Sequence, residues 1–496
     1  MKTHTTLFLD GEWVPSQGSG RIDVISPWTE EITGTVPAAT TGDVDRAVAA
    51  ARRAFDDGRW ARTELAERIA VLRRVREALV ARRQEFAALI TDEMGSPIAQ
   101  SSAIQIGAPL ALLDTYTELA ASYPFEEIRS AASGSALVTR EPVGVVAAVV
   151  PWNVPLTVTV QKLAPALLTG CTVVLKPAPE TPLSVYALTE LFRQAGLPAG
   201  VLNVVPAGRE VSEYLVGHPG VDKVTFTGST VAGRRIASVC GEHLKRVTLE
   251  LGGKSAAVVL DDADLDSTVE ALRLGSLRNS GQICTLKTRL LVSHRRHDEF
   301  VDRLRGLLAS MPVGDPHDPA TQIGPMVTAR QRDRVAGYIR IGREEGATVV
   351  AGGGEPTQPR GWFVDPTIFT GVRPDMRIAQ EEIFGPVLAV ISYADEEEAI
   401  AIANNSSYGL NGAVFTQDPG HGLAVARRIR TGTVELNGNP AGFHAPFGGF
   451  KASGIGREAG REGFESYVEP KSYGLPPEFA ASLNQEGKSW TTSSVS

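Results

Sequence analysis

Residues 144–177 read GVVAAVVPWNVPLTVTVQKLAPALLTGCTVVLKP. GVVAAVVP (144–151) and CTVVLKP (171–177) are short, valine-rich apolar runs, and residues 156–169 between them read as a helix. Strand, helix, strand at this spacing predicts a βαβ unit. The pattern repeats outward. VLNVVPA (201–207), KVTFTGS (223–229) and RVTLELGG (246–253) read as further strands, with helices over 182–195, 209–217 and 230–240. Such alternation predicts an α/β fold with a Rossmann-type, doubly wound parallel sheet, whose ligands bind beyond the carboxyl ends of the strands. AAVVLDD (256–262) opens a second α/β run, with helices over 263–278, 297–309 and 328–345 and strands over 288–293, 347–351 and 387–393. Upstream, LFLDGEWV (7–14) reads as a hairpin turning at Asp10-Gly11. Residues 42–93 read as helical with Asp43 as N-cap, and 99–121 as a further helical stretch. Beyond 474 the chain becomes rich in Pro, Ser and Thr, so 476–496 reads as a loosely packed or disordered tail.

Bulk properties narrow the function. The 496 residues carry 49 basic and 57 acidic side chains, a formal charge of −8. That balance argues against nucleic acid or an anionic membrane as partner. No apolar run reaches the ~18 residues of a membrane span, and MKTHTTLFLDGEW does not read as a secretion signal. The three cysteines, Cys171, Cys240 and Cys284, lie far apart. They form no disulfide framework or cysteine-rich metal site, and a reduced, cytoplasmic setting is the expectation.

The remaining signals sit at predicted strand ends. SGQICTLKTR (280–289) puts Cys284 in a Gly-Gln turn, and LELGG (249–253) puts Glu250 at the end of an apolar strand. A carboxylate there is costly unless solvated or working. PWNVP (151–155) offers the Asn153 amide as a donor to a developing oxyanion. LKPAPETP (175–182) holds Lys176 among prolines, FTGSTVAG (226–233) sets Gly228 and Ser229 at a helix N-terminus suited to pyrophosphate, and EEIFGPV (381–387) carries Glu381 and Glu382 in a tight turn. Thiol, carboxylate, amide, lysine and helix N-terminus together are the kit for covalent thiol chemistry on a carbonyl beside a dinucleotide. Three other motifs fail. GIGREA (454–459) follows no apolar strand, GGKS (252–255) has Thr248 where a phosphate loop needs glycine, and His294 and His297 read as a solvated turn rather than a metal site.

From about residue 7 to 475 the chain resembles the NAD(P)-dependent aldehyde dehydrogenase superfamily, in its hydrolytic branch. PWNVP, KPAPETP, FTGSTVAG, LELGGKSA, GQIC, EEIFGPV and PFGGFKASGIGRE occur in that family's order and spacing. The resemblance implies a role for each position. Cys284 matches the catalytic thiolate, and Asn153 with the Cys284 backbone N–H matches the oxyanion hole. Glu250 matches the general base for thioester hydrolysis, and Glu458 a second carboxylate that relays protons. Lys176 and Glu382 match groups that hold the two riboses, Ser229 a pyrophosphate contact, and Trp152 and Phe384 the nicotinamide end. Gly208, Gly228, Leu251 and the position of Pro179 belong to the same implied cofactor site, and no metal is implied.

Departures from the family pattern bear on specificity. Pro179 stands where many NAD-specific members have Glu, and Arg209 lies close in sequence to the same site. NAD is expected on family frequency, with NADP possible. Val154 and Gln161 replace residues that are often aromatic, which disfavours a quaternary ammonium cage. A medium aliphatic, terpenoid or aromatic aldehyde is expected, and no arginine pair for a dicarboxylic semialdehyde is evident. The resemblance further implies a discontinuous dinucleotide domain (1–123 and 143–252), a catalytic domain (253–452), an oligomerisation arm (124–142 and 468–476), a tail (477–496), and a homodimer or homotetramer. The alternatives are a coenzyme A-acylating enzyme and a non-catalytic protein on the same scaffold.

Overall fold

A computed structural model describes residues 2–486. Its largest sheet has eight strands, in the order Gly454–Ile455, Arg246–Glu250, Lys223–Thr227, Val145–Val149, Thr172–Lys176, Leu202–Val204, Thr6–Leu9 and Glu12–Pro15. The five strands from Arg246–Glu250 to Leu202–Val204 are parallel. The chain starts this parallel set at Val145–Val149, builds outward through Thr172–Lys176, then returns to lay Lys223–Thr227 on the opposite side. The order therefore reverses between Val145–Val149 and Lys223–Thr227. A doubly wound sheet opens a crevice at that point, and the loops that leave it there carry Asn153 and Ser229.

Helices cover both faces of this sheet. On one, Leu65–Ala81, Gly107–Ser122 and Pro155–Thr169 bury Leu72, Val75, Leu112, Tyr116, Leu163 and Leu167. On the other, Thr41–Asp56, Arg209–Gly217 and Thr230–Glu242 bury Val44, Val48, Leu215 and Ile236. Both faces being dry explains why the strands read as continuous apolar runs. A second sheet of seven strands runs Thr348–Ala351, Thr367–Thr370, Val387–Tyr393, Lys287–Ser293, Ser255–Val259, Gly412–Phe415 and Glu435–Leu436. A small antiparallel sheet places Gly134–Pro142 between Glu126–Ala131 and Val468–Leu475.

Several local expectations change. Thr40, not Asp43, caps the first helix. Its hydroxyl accepts from Asp43 N at 3.2 Å while the Asp43 carboxylate accepts from Thr40 N at 3.0 Å. This is a capping box, and Asp43 holds its third position because Gln17 N also donates to its carboxylate. The stretch 42–93 is three helices, Thr41–Asp56, Leu65–Ala81 and Arg83–Met94. The stretch 99–121 is interrupted by a π-helical turn, Ser101–Gln105, a feature that often accompanies functional sites. Part of the expected tail, Pro477–Glu486, is helical, with Ala480 buried; residues 487–496 lie outside the described residues.

Candidate active site

The turn that carries Cys284 is unusual. Asn279, Ser280 and Gly281 follow one another with φ of 51°, 57° and 78°. Left-handed geometry at two consecutive non-glycine residues is unfavourable and needs support from outside. That support is visible. The Ser280 hydroxyl donates to Gly324 O at 2.9 Å and accepts from Gly324 N at 3.0 Å. Gln282 accepts from Val327 N at 3.0 Å through its side-chain oxygen. Gly281 faces the Phe384-Gly385-Pro386 turn so closely that no Cβ could fit.

Cys284 opens onto a cavity of about 270 Å³ that Asn153, Glu250, Thr227 and Glu458 also line. Burial, and then the charges of Glu382 and Glu250, push its thiol up to about 12, against the pull of Arg278. Asn153 leaves the strand end through PWNVP and is buried. Its Nδ2 donates to Gln282 O at 2.8 Å, which spends one of its two N–H groups and ties the amide to the thiol turn. The Asn153 backbone carbonyl accepts from Gln105 Nε2 at 3.0 Å and Asn279 Nδ2 at 3.1 Å.

Glu250 ends its strand buried, and among the described residues neither carboxylate oxygen has a hydrogen-bond partner. Desolvation first, and then the negative charge of Glu458, hold it well above the usual carboxylate range; Lys162 and Arg457 pull the other way. Glu458 reaches this place because Gly454–Ile455 pairs antiparallel with the Glu250 strand, Glu250 opposite Gly454. Its carboxylate forms a close ion pair with the fully buried Lys162 and accepts from Thr225 Oγ1 at 3.2 Å. Lys162 was not singled out from sequence, although a lysine inside the apolar helix LTVTVQKLAPALL is a signal that it has a buried partner.

Several other predicted residues lie at or just past the carboxyl ends of the parallel strands. Lys176 is buried at its strand end, and its amine makes no hydrogen bond or ion pair among the described residues. Burial lowers its amine to about 8. Glu382 accepts from Gly253 N at 3.0 Å on one oxygen, and the other has no partner among the described residues. Glu381 turns away, accepting from Tyr338 Oη at 2.6 Å and pairing with Arg377. Ser229 caps Thr230–Glu242, its hydroxyl accepting from Ala232 N at 3.3 Å. Gly228 precedes it, and Leu251 is buried with its side chain against Gly233. Gly208 is the exposed N-cap of Arg209–Gly217, and Pro179 is half-buried. Trp152 and Phe384 meet edge to face with ring centres 5.4 Å apart. An unpaired lysine amine, a half-free carboxylate and two helix N-termini beyond the carboxyl ends of the strands fit the riboses and pyrophosphate of a dinucleotide.

The profile of the aldehyde dehydrogenase family matches residues 13–473. The chain belongs to the aldehyde dehydrogenase family. It is similar to the geranial dehydrogenase of Castellaniella defragrans, 47% identical over 95% of this chain and 98% of that one. A 3-succinoylsemialdehyde-pyridine dehydrogenase of a Pseudomonas species is 43% identical, over 95% of this chain and 98% of its own. Among solved structures, a Mycobacterium tuberculosis aldehyde dehydrogenase complexed with NAD+ superposes with a TM-score of 0.94 at 47% identity, covering 96% of this chain and 99% of that chain. In this aldehyde dehydrogenase, sequence reasoning missed the residues that brace the thiol turn, Gln105, Asn279 and Ser280. Their side chains bond backbone groups of distant segments, which no local pattern announces.

Proposed function

We propose that this aldehyde dehydrogenase oxidises an aldehyde to the carboxylic acid with NAD+, using Cys284 as nucleophile. The observation that carries the reading is the convergence of Cys284, Asn153, Glu250 and Glu458 on one cavity beside the crevice. The Cys284 sulfur, as thiolate, adds to the aldehyde carbon, and the carbonyl oxygen becomes an oxyanion of the thiohemiacetal. The second N–H of Asn153 and the backbone N–H of Cys284 stabilise that oxygen. Lys176, Glu382, Ser229 and the helix N-termini hold NAD, which supplies the acceptor for the hydride that leaves the substrate carbon. The thioester left on Cys284 is hydrolysed by a water that Glu250 deprotonates. An oxygen-to-carbon bond forms, the carbon–sulfur bond breaks, and the thiol is regenerated. Glu458, held by Lys162 and Thr225, takes up the proton that Glu250 must shed before the next turnover. The buried, partnerless Glu250 is a strong base once ionised, as activation of water requires.

The cavity walls, Ile104, Ala108, Val154, Val158, Ile283, Phe443 and Phe447, are largely apolar and suit a medium aliphatic, terpenoid or aromatic aldehyde. Geranial, the aldehyde named for the first relative above, is of that class. The same reading includes the dinucleotide, catalytic and arm divisions given above. Edge pairing of the Glu126–Ala131 arm strand with a second subunit would give a homodimer or homotetramer. Among the described residues no helix is long and apolar enough to cross a membrane, and a cytoplasmic location fits the reduced cysteines.

NADH absorbance with a panel of aldehydes tests this reading, run with NAD+ and with NADP+ and with coenzyme A present or omitted. Oxidation without coenzyme A is expected. It should be lost in Cys284→Ala while the fold and NAD+ affinity survive. Undiminished turnover of that variant, or an absolute need for coenzyme A, would overturn it.

A further inference from the structure

Cys284 sits in a loop that is anchored on both sides. The upstream anchor is the brace at Ser280 and Gln282 described above. The downstream anchor is a cluster that stands outside the cavity wall, formed by Asn411, Glu435 and Lys287. Asn411 is buried, and its amide is fully committed. Its Oδ1 accepts from Gly412 N at 2.8 Å, and its Nδ2 donates to Glu435 Oε1 at 2.8 Å and to Thr285 O at 3.3 Å. Thr285 directly follows Cys284. Lys287 Nζ lies 2.5 Å from the other Glu435 oxygen, and both side chains are largely buried. Ser276 Oγ donates to Lys287 O at 2.7 Å.

The sheet does not hold this end of the loop by itself. The strand Lys287–Ser293 pairs with Ser255–Val259, but the register slips at its start. Lys287 stands opposite Ser255 and Arg289 opposite Ala256, so Thr288 has no counterpart. Glu435 lies on the last strand of the sheet, with Ser255–Val259 and Gly412–Phe415 between its strand and that of Lys287. An ion pair that reaches past two strands costs side-chain entropy and desolvation, and a buried pair adds little net stability. Its effect here is geometric. Lys287 occupies one Glu435 oxygen, and the other orients the Asn411 amide toward Thr285 O. An amide turned the other way would set its oxygen against two acceptors.

We propose that Glu435 is a positioning residue for the thiol: held by Lys287 and acting through Asn411, it fixes the exit of the loop that carries Cys284, and with it the sulfur and the backbone N–H of that residue. The proposal rests on Cys284 being the nucleophile. Both groups must meet the same carbonyl, and a displacement of about 1 Å costs on the order of a hundredfold in rate.

The test is single-turnover NADH formation in a Glu250→Gln parent, where the thioester accumulates. Two double substitutions are made in that parent, Lys287→Met with Glu435→Gln and Lys287→Met with Glu435→Leu. Each removes one charge of either sign and strands neither, so both should fold. Only the first keeps an acceptor for Asn411. The Gln form should acylate within about threefold of the parent. The Leu form should be about tenfold or more slower on every aldehyde alike, with NAD+ affinity and amplitude unchanged. Amplitude counts competent sites, whereas the rate constant reports their geometry. A fall in amplitude at an unchanged rate constant would mean that Glu435 serves only the fold, and overturns the proposal. Equal rate constants in the two forms overturn it too, while the parent's activity leaves the dehydrogenase reading standing. If neither parent nor wild type forms NADH from any aldehyde, that reading fails and the proposal with it.

Discussion

A Cβ on Gly281 would stand 2.2 Å from the carbonyl carbon and oxygen of Gly385. The loop that presents the thiol and the turn that presents Glu382 therefore meet backbone to backbone. Each fixes the position of the other.

Gly281→Ala should break that contact. The added methyl must displace the Phe384-Gly385-Pro386 turn, and φ of 78° disfavours alanine by about 1–2 kcal/mol. A shift of the thiol by about 1 Å costs on the order of a hundredfold in rate. Steady-state NADH production should fall by about that much, and Tm should drop in a thermal melt. A variant with wild-type kcat would show that the loops do not constrain each other.

Glu250→Gln should separate the two halves of the reaction. Acylation of Cys284 does not need the base for water, so a burst of NADH survives while steady-state turnover falls by about a hundredfold or more. In wild type, burial and Glu458 hold Glu250 above the usual carboxylate range. Its ionised, basic form therefore grows as pH rises, and the deacylation rate should climb from pH 6 toward alkaline pH on the order of tenfold per unit until Glu250 is ionised. Rapid-quench measurement of burst and steady state across pH checks both. Equal loss of the two phases in the variant would contradict the assignment.

The thiol of the cofactor-free enzyme should be sluggish. With Cys284 pushed up to about 12, only a small fraction is thiolate at pH 7. Alkylation by iodoacetamide should accelerate about tenfold per pH unit between about pH 7 and 10, since the thiolate is the reacting form. Mass spectrometry of the Cys284 peptide follows it. A rate that is flat over that range would mean a thiol already ionised.

Lys162→Met should destabilise the fold by about 3–5 kcal/mol, because it strands the Glu458 carboxylate in the interior. Adding Glu458→Gln should recover part of that loss. Chemical denaturation of the two variants measures the difference; a Lys162→Met protein as stable as wild type would show that the pair is not needed.

What the sequence made legible follows from burial. Strands dry on both faces must be apolar throughout, so Val145–Val149, Thr172–Lys176 and Lys223–Thr227 announce themselves, and the polar residues that end them stand out against that background. Glu250, Asn153 and Lys176 were readable for this reason. The first cap was misread because Thr40 and Asp43 are both good caps, and only the reach of Gln17 N to Asp43 decides between them. The small strands Thr367–Thr370 and Gly412–Phe415 were missed because four residues are too short for a pattern.

The cavity draws its reactive groups and its tail wall from different parts of the chain. Cys284, Asn153 and Glu250 stand on rigid strand ends and braced turns, whereas Ile104 lies on the π-helical turn, Ala108 just past it, and Phe443 and Phe447 in a loop far downstream. Substitutions at these four positions can reshape which aldehyde enters while leaving the bond-making atoms where they are. Under the proposed function, the choice of aldehyde and the chemistry at its carbonyl carbon are therefore separable by substitution.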